Sequence, residues 1–288
     1  MKPAPFTYAA PESVDEVIAL LDAHGGDAKL LAGGQSLTPM MNLRLASPAY
    51  VIDLNRLEGF EYMQERDGFL AIGAMTRQRH LERSALVRQH YPLLAEAARL
   101  IGHPATRNRG TVGGSIAHAD PAAELPALLL TYGGSVIARG AGGDQEIPAE
   151  DFFVSYFTTA LEPGELLTEV RLRRWPEGTG WCFLEESRRY GDYAVAGVAA
   201  LMHVNASGRC DEVAVTVFGV GDVPYPVGQA ASLLVGQVPS EERLAAVGQA
   251  AAEGIEPEDD VHASAAFRRH LSAVLTHRAL RTAADRAG

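Results

Sequence analysis

The sequence predicts an α+β fold in which strands and helices are segregated rather than strictly alternating. Three observations carry this. Short apolar, strand-like runs recur in the first half, ending on glycine pairs or on the turn pair Asp67-Gly68. A Pro/Gly-rich break, Trp175-Pro176-Glu177-Gly178-Thr179-Gly180, divides the chain. Beyond it, the strand-like runs "AVAGVAALMHV" and "EVAVTVFGVG" are followed by Ala-rich helical stretches from Ser240 onward. With 288 residues, 47% of them hydrophobic, the chain is long enough for a sizeable core and about two domains, which we place at residues 1–176 and 177–288.

The elements follow in order. Ser13 with Glu16 forms a capping box, and behind it Val14, Val17, Ile18 and Leu21 recur at helical spacing until Gly25-Gly26 ends the pattern. Lys29 to Leu31 reads as a strand feeding directly into Gly33-Gly34. Tyr50 to Leu54 reads as a buried strand, and "FEYMQERDGFLAIGA" as a hairpin, because Asp67-Gly68 suits a tight turn between alternating segments. Thr76 is placed to cap the next helix. A second helix runs over Tyr91 to Gly102, closed by Gly102 and Pro104. Then come the glycine-rich stretch "RGTVGGSIAHADP", read as exposed loop, a short helix and strand in "AELPALLLTYGGSVIARG", and a strand from Glu165 to Leu172.

Charge and composition exclude several classes of function. Twenty-five Lys and Arg against 36 Asp and Glu give a net charge of −11, and no basic run offers a footprint for nucleic acid or an anionic membrane surface. The N-terminal stretch has no apolar signal region and no window approaches a membrane span, so the chain reads as cytoplasmic. Cys182 and Cys210 are isolated and read as reduced, buried thiols rather than cluster or zinc ligands. His118 and Asp120 lack a third ligand, so no metal site is read.

The two glycine pairs carry the chemistry. A Gly pair permits positive φ and removes Cβ atoms, so successive N–H groups can converge on one anion. Ser36, Thr111 and Ser115 would add hydroxyls, and the helix after Asp120-Pro121 a favourable dipole. Neither pair is a Walker loop or a GxGxxG fingerprint, and a turn is the ordinary use of either alone. Spacing supports an anion or nucleotide site and nothing narrower.

"LLAGGQSLTPMMNLRLASP", "IGHPATRNRGTVGGSIAHADPAAELPALLL", "FFVSYFTTALEPGELLTEVRL" and "FLEESRRYGDYAVAGVAA", four blocks spanning nearly the whole chain, resemble the FAD-binding medium subunits of molybdenum hydroxylases. These are enzymes of the carbon monoxide dehydrogenase and xanthine dehydrogenase type. The resemblance implies a flavin-binding module of the p-cresol methylhydroxylase type followed by a small domain of antiparallel strands and helices.

On this sequence the resemblance puts Ala32, Gly33, Gly34, Gln35 and Ser36 on the FAD pyrophosphate, flanked by Lys29, Leu30, Leu31 and Leu37. Thr111, Gly114 and Ser115 would close on the same diphosphate and the ribityl chain. His118, Asp120 and Glu124 would lie near the sugar-like portion, and Leu161 and Leu167 beside the adenine or the ring. Arg188, Asp192 and Tyr193 match positions close to the isoalloxazine, with Tyr193 covering one face. For the last block the alternatives are a solvated pair at Arg188 and Arg189 and a core tyrosine at position 193. Position 35 is Gln where some relatives carry His, and an amide cannot attach a flavin covalently, so the FAD is expected to be non-covalent. No catalytic residue is expected in this chain.

The resemblance further implies electron transfer from a [2Fe-2S] small subunit, through FAD, to an external acceptor. The molybdenum cofactor and substrate hydroxylation would belong to a large subunit, and the assembly would be a dimer of heterotrimers. The alternatives are a stand-alone FAD oxidoreductase of the same fold and a non-catalytic assembly subunit.

Overall fold

The structure is a computed structural model and describes residues 2–288. Its first sheet is parallel, with Tyr50–Asp53 between Thr7–Ala9 and Ala28–Leu31. Helix Val14–His24 makes the crossover and buries Val17, Ile18 and Leu21. The Ser13 half of the expected capping box forms, its hydroxyl accepting from the Glu16 N–H, but the Glu16 carboxylate accepts from the N–H of Glu12, one residue before the cap, rather than from that of Ser13.

The second sheet has five antiparallel strands in the spatial order Met63–Arg66, Phe69–Gly73, Leu166–Arg173, Ser135–Gly140, Gly143–Pro148. Asp67 (φ 52°) and Gly68 (φ 81°) are both left-handed, as the two-residue turn of that hairpin demands. Helices Pro92–Leu100 and Glu124–Tyr132 contribute to the core over this sheet.

The third sheet, Gly180–Ser187, Ala194–Val204, Cys210–Phe218 and Tyr225–Pro226, is also antiparallel. Phe183, Ala199, Leu201 and Phe218 share a core with the second sheet, whereas Cys182, Val198, Ala200 and Val215 pack with helices Glu241–Glu253 and Ala265–Arg286. Burial on both faces explains why the strand Ala194–Val204 is an almost unbroken apolar run. Both cysteines are buried and free.

Two local readings are corrected. Thr76 does not cap the following helix, Gln78–Arg83, whose N-cap position is Arg77. Its hydroxyl is engaged by the Tyr62 backbone, accepting from N–H at 3.1 Å and donating to C=O at 3.0 Å. The second glycine stretch is not an exposed loop. Residues Val112–His118 form a helix capped by Thr111, whose hydroxyl accepts from the Gly114 N–H at 3.1 Å.

Candidate cofactor site

The parallel sheet positions the site. The strands Ala28–Leu31 and Tyr50–Asp53 end side by side, so residues 32–36 and Asn55 emerge at one edge. Helix Leu37–Asn42 begins at once, with Ser36 at its N-cap. Among the described residues, no hydrogen-bond acceptor takes the N–H groups of Gly33, Gly34, Gln35 or Ser36. Gly34 sits at φ 70°, the left-handed conformation that turns successive amides toward one point. Four unpartnered N–H groups ahead of a helix form an anion cradle.

A cleft of about 220 Å³ lies against this segment, lined by residues 31–35 with Thr38, Asp53, Asn55 and Arg109. Burial opposes ionisation of Asp53, but hydrogen bonds from the Tyr8 hydroxyl (2.7 Å) and from Asn55, with Arg109 nearby, hold its carboxyl below the usual range. The cleft suits a phosphate group and a sugar; a longer ligand must continue along the surface.

The second glycine stretch abuts the first. A Cβ built on Gly33 would lie 2.7 Å from the Gly110 Cα and nearer still to the Arg109 carbonyl oxygen, and one on Gly114 would lie 3.5 Å from the Ala32 Cβ. Its amides are not free, however. Val112 N–H bonds the Thr76 carbonyl, Gly113 N–H the Ala74 carbonyl, and Gly114 N–H the Thr111 hydroxyl. Neither Gly113 nor Gly114 has positive φ. The expectation of two equivalent amide nests is therefore corrected. The first stretch offers free N–H groups, and the second offers a close-packed wall with Arg109 on the cleft.

The remaining expected residues divide into two sets. Tyr193 gathers one: Ser36, Asp120 and Glu124 all neighbour its phenol. It is 61% exposed, so the alternative of a core tyrosine is set aside. Burial, with the Glu185 carboxyl nearby, pushes Glu124 up to about 8, and burial pushes Glu185 up to about 7. One oxygen of Glu185 is buried without a partner. Burial lowers the pKa of His118 and raises that of Asp120. The His118 ring lies 5.0 Å from the Phe157 ring, tilted by 37°, and Phe157 sits at φ 52° in the turn between the short strands Phe153–Ser155 and Thr158–Thr159.

The other set lies apart from the cleft lining. Lys29 is exposed, Leu167 is in the core, and Leu161 packs against that core. Arg188 contacts His262 at 3.1 Å, and Asp192 caps the Tyr193 N–H. Thr38, Asp53, Asn55 and Arg109 were not expected from sequence. The signal available was that Leu31 and Asp53 both end apolar runs, and residues following the carboxyl ends of neighbouring parallel strands share one rim.

Comparison with known proteins shows the family. Residues 4–175 match the FAD binding domain in molybdopterin dehydrogenase, and residues 181–283 match the CO dehydrogenase flavoprotein C-terminal domain. This chain belongs to the FAD-binding flavoprotein family of the molybdopterin dehydrogenases. It is 41% identical over 287 residues to subunit alpha of the 6-hydroxypseudooxynicotine dehydrogenase complex of Paenarthrobacter nicotinovorans, covering 100% of this chain and 97% of that one. It is 38% identical to the carbon monoxide dehydrogenase medium chain of Hydrogenophaga pseudoflava, covering 98% of each. The solved structure of carbon monoxide dehydrogenase from Hydrogenophaga pseudoflava superposes with a TM-score of 0.97 at 38% identity over 100% of both chains. Quinoline 2-oxidoreductase from Pseudomonas putida 86 gives 0.93 at 35% identity over 99% of each.

The residues fit FAD. A diphosphate needs donors that are not already spent, and the four amides of residues 33–36 beside Arg109 supply them. Gln35 leaves no attaching nucleophile in that stretch.

Proposed function

We propose that this chain is the FAD-binding electron-transfer subunit of a heterotrimeric molybdenum hydroxylase. Family membership supports the reading, and the observation that carries it is the row of unpartnered amides at residues 33–36 facing Arg109 across the cleft. Bound FAD supplies the exchange between one-electron donation by iron–sulfur centres and transfer to an external acceptor.

The chain's own residues bind and orient. Gly33, Gly34, Gln35 and Ser36 hold the diphosphate by N–H donation, with Leu30, Leu31, Ala32 and Leu37 shaping that end. Thr111, Gly114 and Ser115 form the opposite wall. Tyr193 covers the flavin end with a flat, exposed ring whose tip stays polar. Glu124 keeps its proton at neutral pH and so adds no charge beside an already anionic ligand.

Iron–sulfur ligation takes four side chains, usually cysteines, per cluster. This chain has two cysteines, so we assign the [2Fe-2S] centres to a small subunit and the molybdenum cofactor to a large one. We place the complex in the cytoplasm as a dimer of heterotrimers, and the division of this chain at residues 176 and 177. No helix among the described residues is long and apolar enough to cross a membrane.

The test is affinity purification of the tagged chain from its native host. Two partner polypeptides and one FAD per chain are expected. A chain that purifies alone with FAD would be a stand-alone oxidoreductase. One that brings partners but neither holds nor takes up FAD would be an assembly subunit.

A further inference from the structure

The two glycine stretches are joined by two side chains outside both of them, Arg77 and Asn55. Residues 76–78 are stitched to the second stretch by backbone bonds, Val112 N–H to the Thr76 carbonyl and Gln78 N–H to the Gly110 carbonyl, both 2.9 Å. From this base the Arg77 guanidinium forks. One Nη donates to the Arg109 carbonyl at 2.5 Å, and the other donates to the Asn55 Oδ1 at 2.7 Å. Asn55 in turn donates from Nδ2 to the Ala32 carbonyl at 2.9 Å and to the Asp53 carboxylate at 2.5 Å. Both ends of the Asn55 amide are therefore committed, which fixes its orientation.

The chain of bonds runs from Arg109, through Arg77 and Asn55, to Ala32, and so crosses from one wall of the cleft to the other. The acceptors of the Arg77 fork are neutral oxygens. A planar cation with divergent donors suits this geometry, and a lysine ammonium does not reproduce it. The Arg109 carbonyl that Arg77 grips is also the oxygen against which Gly33 packs, so the clamp acts where the two walls touch.

We propose that Arg77 is a positioning residue of the site: through Asn55 it sets the distance between the amides of residues 33–36 and Arg109, so that the two walls grip the two phosphates of one diphosphate. The proposal rests on the FAD reading above and adds the device that makes the site selective for a diphosphate over a monophosphate. Arg77 itself does not line the cleft but bonds Arg109 and Asn55, which do.

The test is a titration of the full-length, flavin-stripped chain with ADP and with AMP, as wild type, Arg77→Met, Arg77→Lys and Asn55→Leu. Wild type is expected to prefer ADP. Arg77→Met should weaken ADP about tenfold or more while changing AMP by less than about twofold, because AMP engages one wall only. Asn55→Leu should give the same loss, and the double variant no further loss, since the two act as one link. Arg77→Lys, with a single donor head, should retain part of the preference and gives a second variant if Arg77→Met does not fold.

An ADP-to-AMP ratio unchanged in Arg77→Met, or an equal weakening of both ligands, overturns the clamp. A wild type that binds ADP no better than AMP overturns instead the diphosphate reading on which it rests.

Discussion

Replacing Gly33 with Ala adds one methyl group at the contact between the two walls. The new Cβ would lie 2.7 Å from the Gly110 Cα and 2.9 Å from the Arg109 carbonyl carbon, with the carbonyl oxygen closer still. All three atoms are backbone, so no side chain can rotate away. Carbon–carbon contacts settle near 3.5–4.0 Å, so the walls must part by about 1 Å. Overpacking of this kind costs about 1–3 kcal/mol. Parting the walls also strains the Arg77–Arg109 hydrogen bond, so most of that cost should appear in ligand binding, as a loss of about 5- to 150-fold in FAD affinity. The assay is titration of the flavin-free chain with FAD, followed by flavin fluorescence. Gly26→Ala serves as control, because its Cβ would meet nothing within 4 Å and its φ is not positive. Wild-type affinity in Gly33→Ala would refute the argument that wall spacing governs binding.

Three other perturbations test separate parts of the account. Glu124 and Glu185 have folded pKa values, about 8 and about 7, above those of an unfolded chain, so the folded state binds more protons across that window and stability is lost as pH rises through it. The melting temperature of the flavin-free chain should therefore fall between about pH 6 and pH 8.5, and Glu185→Gln should flatten the slope; an unchanged slope contradicts the assignment. Arg268 is buried and donates to the Val195 carbonyl (2.6 Å), the Gly219 carbonyl (2.7 Å) and the partly exposed Asp260 carboxylate (2.6 Å). Arg268→Met should cost about 2–3 kcal/mol in urea denaturation by orphaning those acceptors, and a loss below about 0.5 kcal/mol would contradict it. Tyr193→Ala should leave the melting temperature of the flavin-free chain within about 1 °C of wild type but alter the absorption envelope of bound flavin, since most of the side chain is exposed. An unaltered envelope would remove Tyr193 from the ring.

Local chemistry made much of the fold legible. Ser13 announced its helix because an N-cap needs only a hydroxyl and the next few amides, and Asp67-Gly68 announced its hairpin because few pairs accept two left-handed residues. Thr76 misled for the same reason: its hydroxyl had a capping position available, but Tyr62, fourteen residues earlier, holds it instead. The second glycine pair looked like a loop because glycine disfavours helix interiors. There it serves packing, with the Gly113 Cα against Ala74 and Gly114 against Ala32, and the helix stands on its Thr111 cap.

The first glycine stretch was legible as a site, whereas Tyr8, Asp53, Asn55 and Arg77 were not. Each is an ordinary polar residue in its own neighbourhood, and they meet only once the parallel strands pair and residues 76–78 dock on residues 110–112. Leu167 was ambiguous in sequence: an apolar residue flanking a ligand and one filling a core leave the same mark, and the structure buries it in the core.

The most direct measurement is the absorption spectrum of the purified chain before and after acid precipitation, with the flavin in the supernatant identified. The bands of oxidised flavin are expected, at one FAD per chain, released into the supernatant and leaving a colourless pellet. A chain that stays colourless after incubation with FAD, or a pellet that keeps its flavin, would contradict a non-covalent FAD site built on residues 32–36.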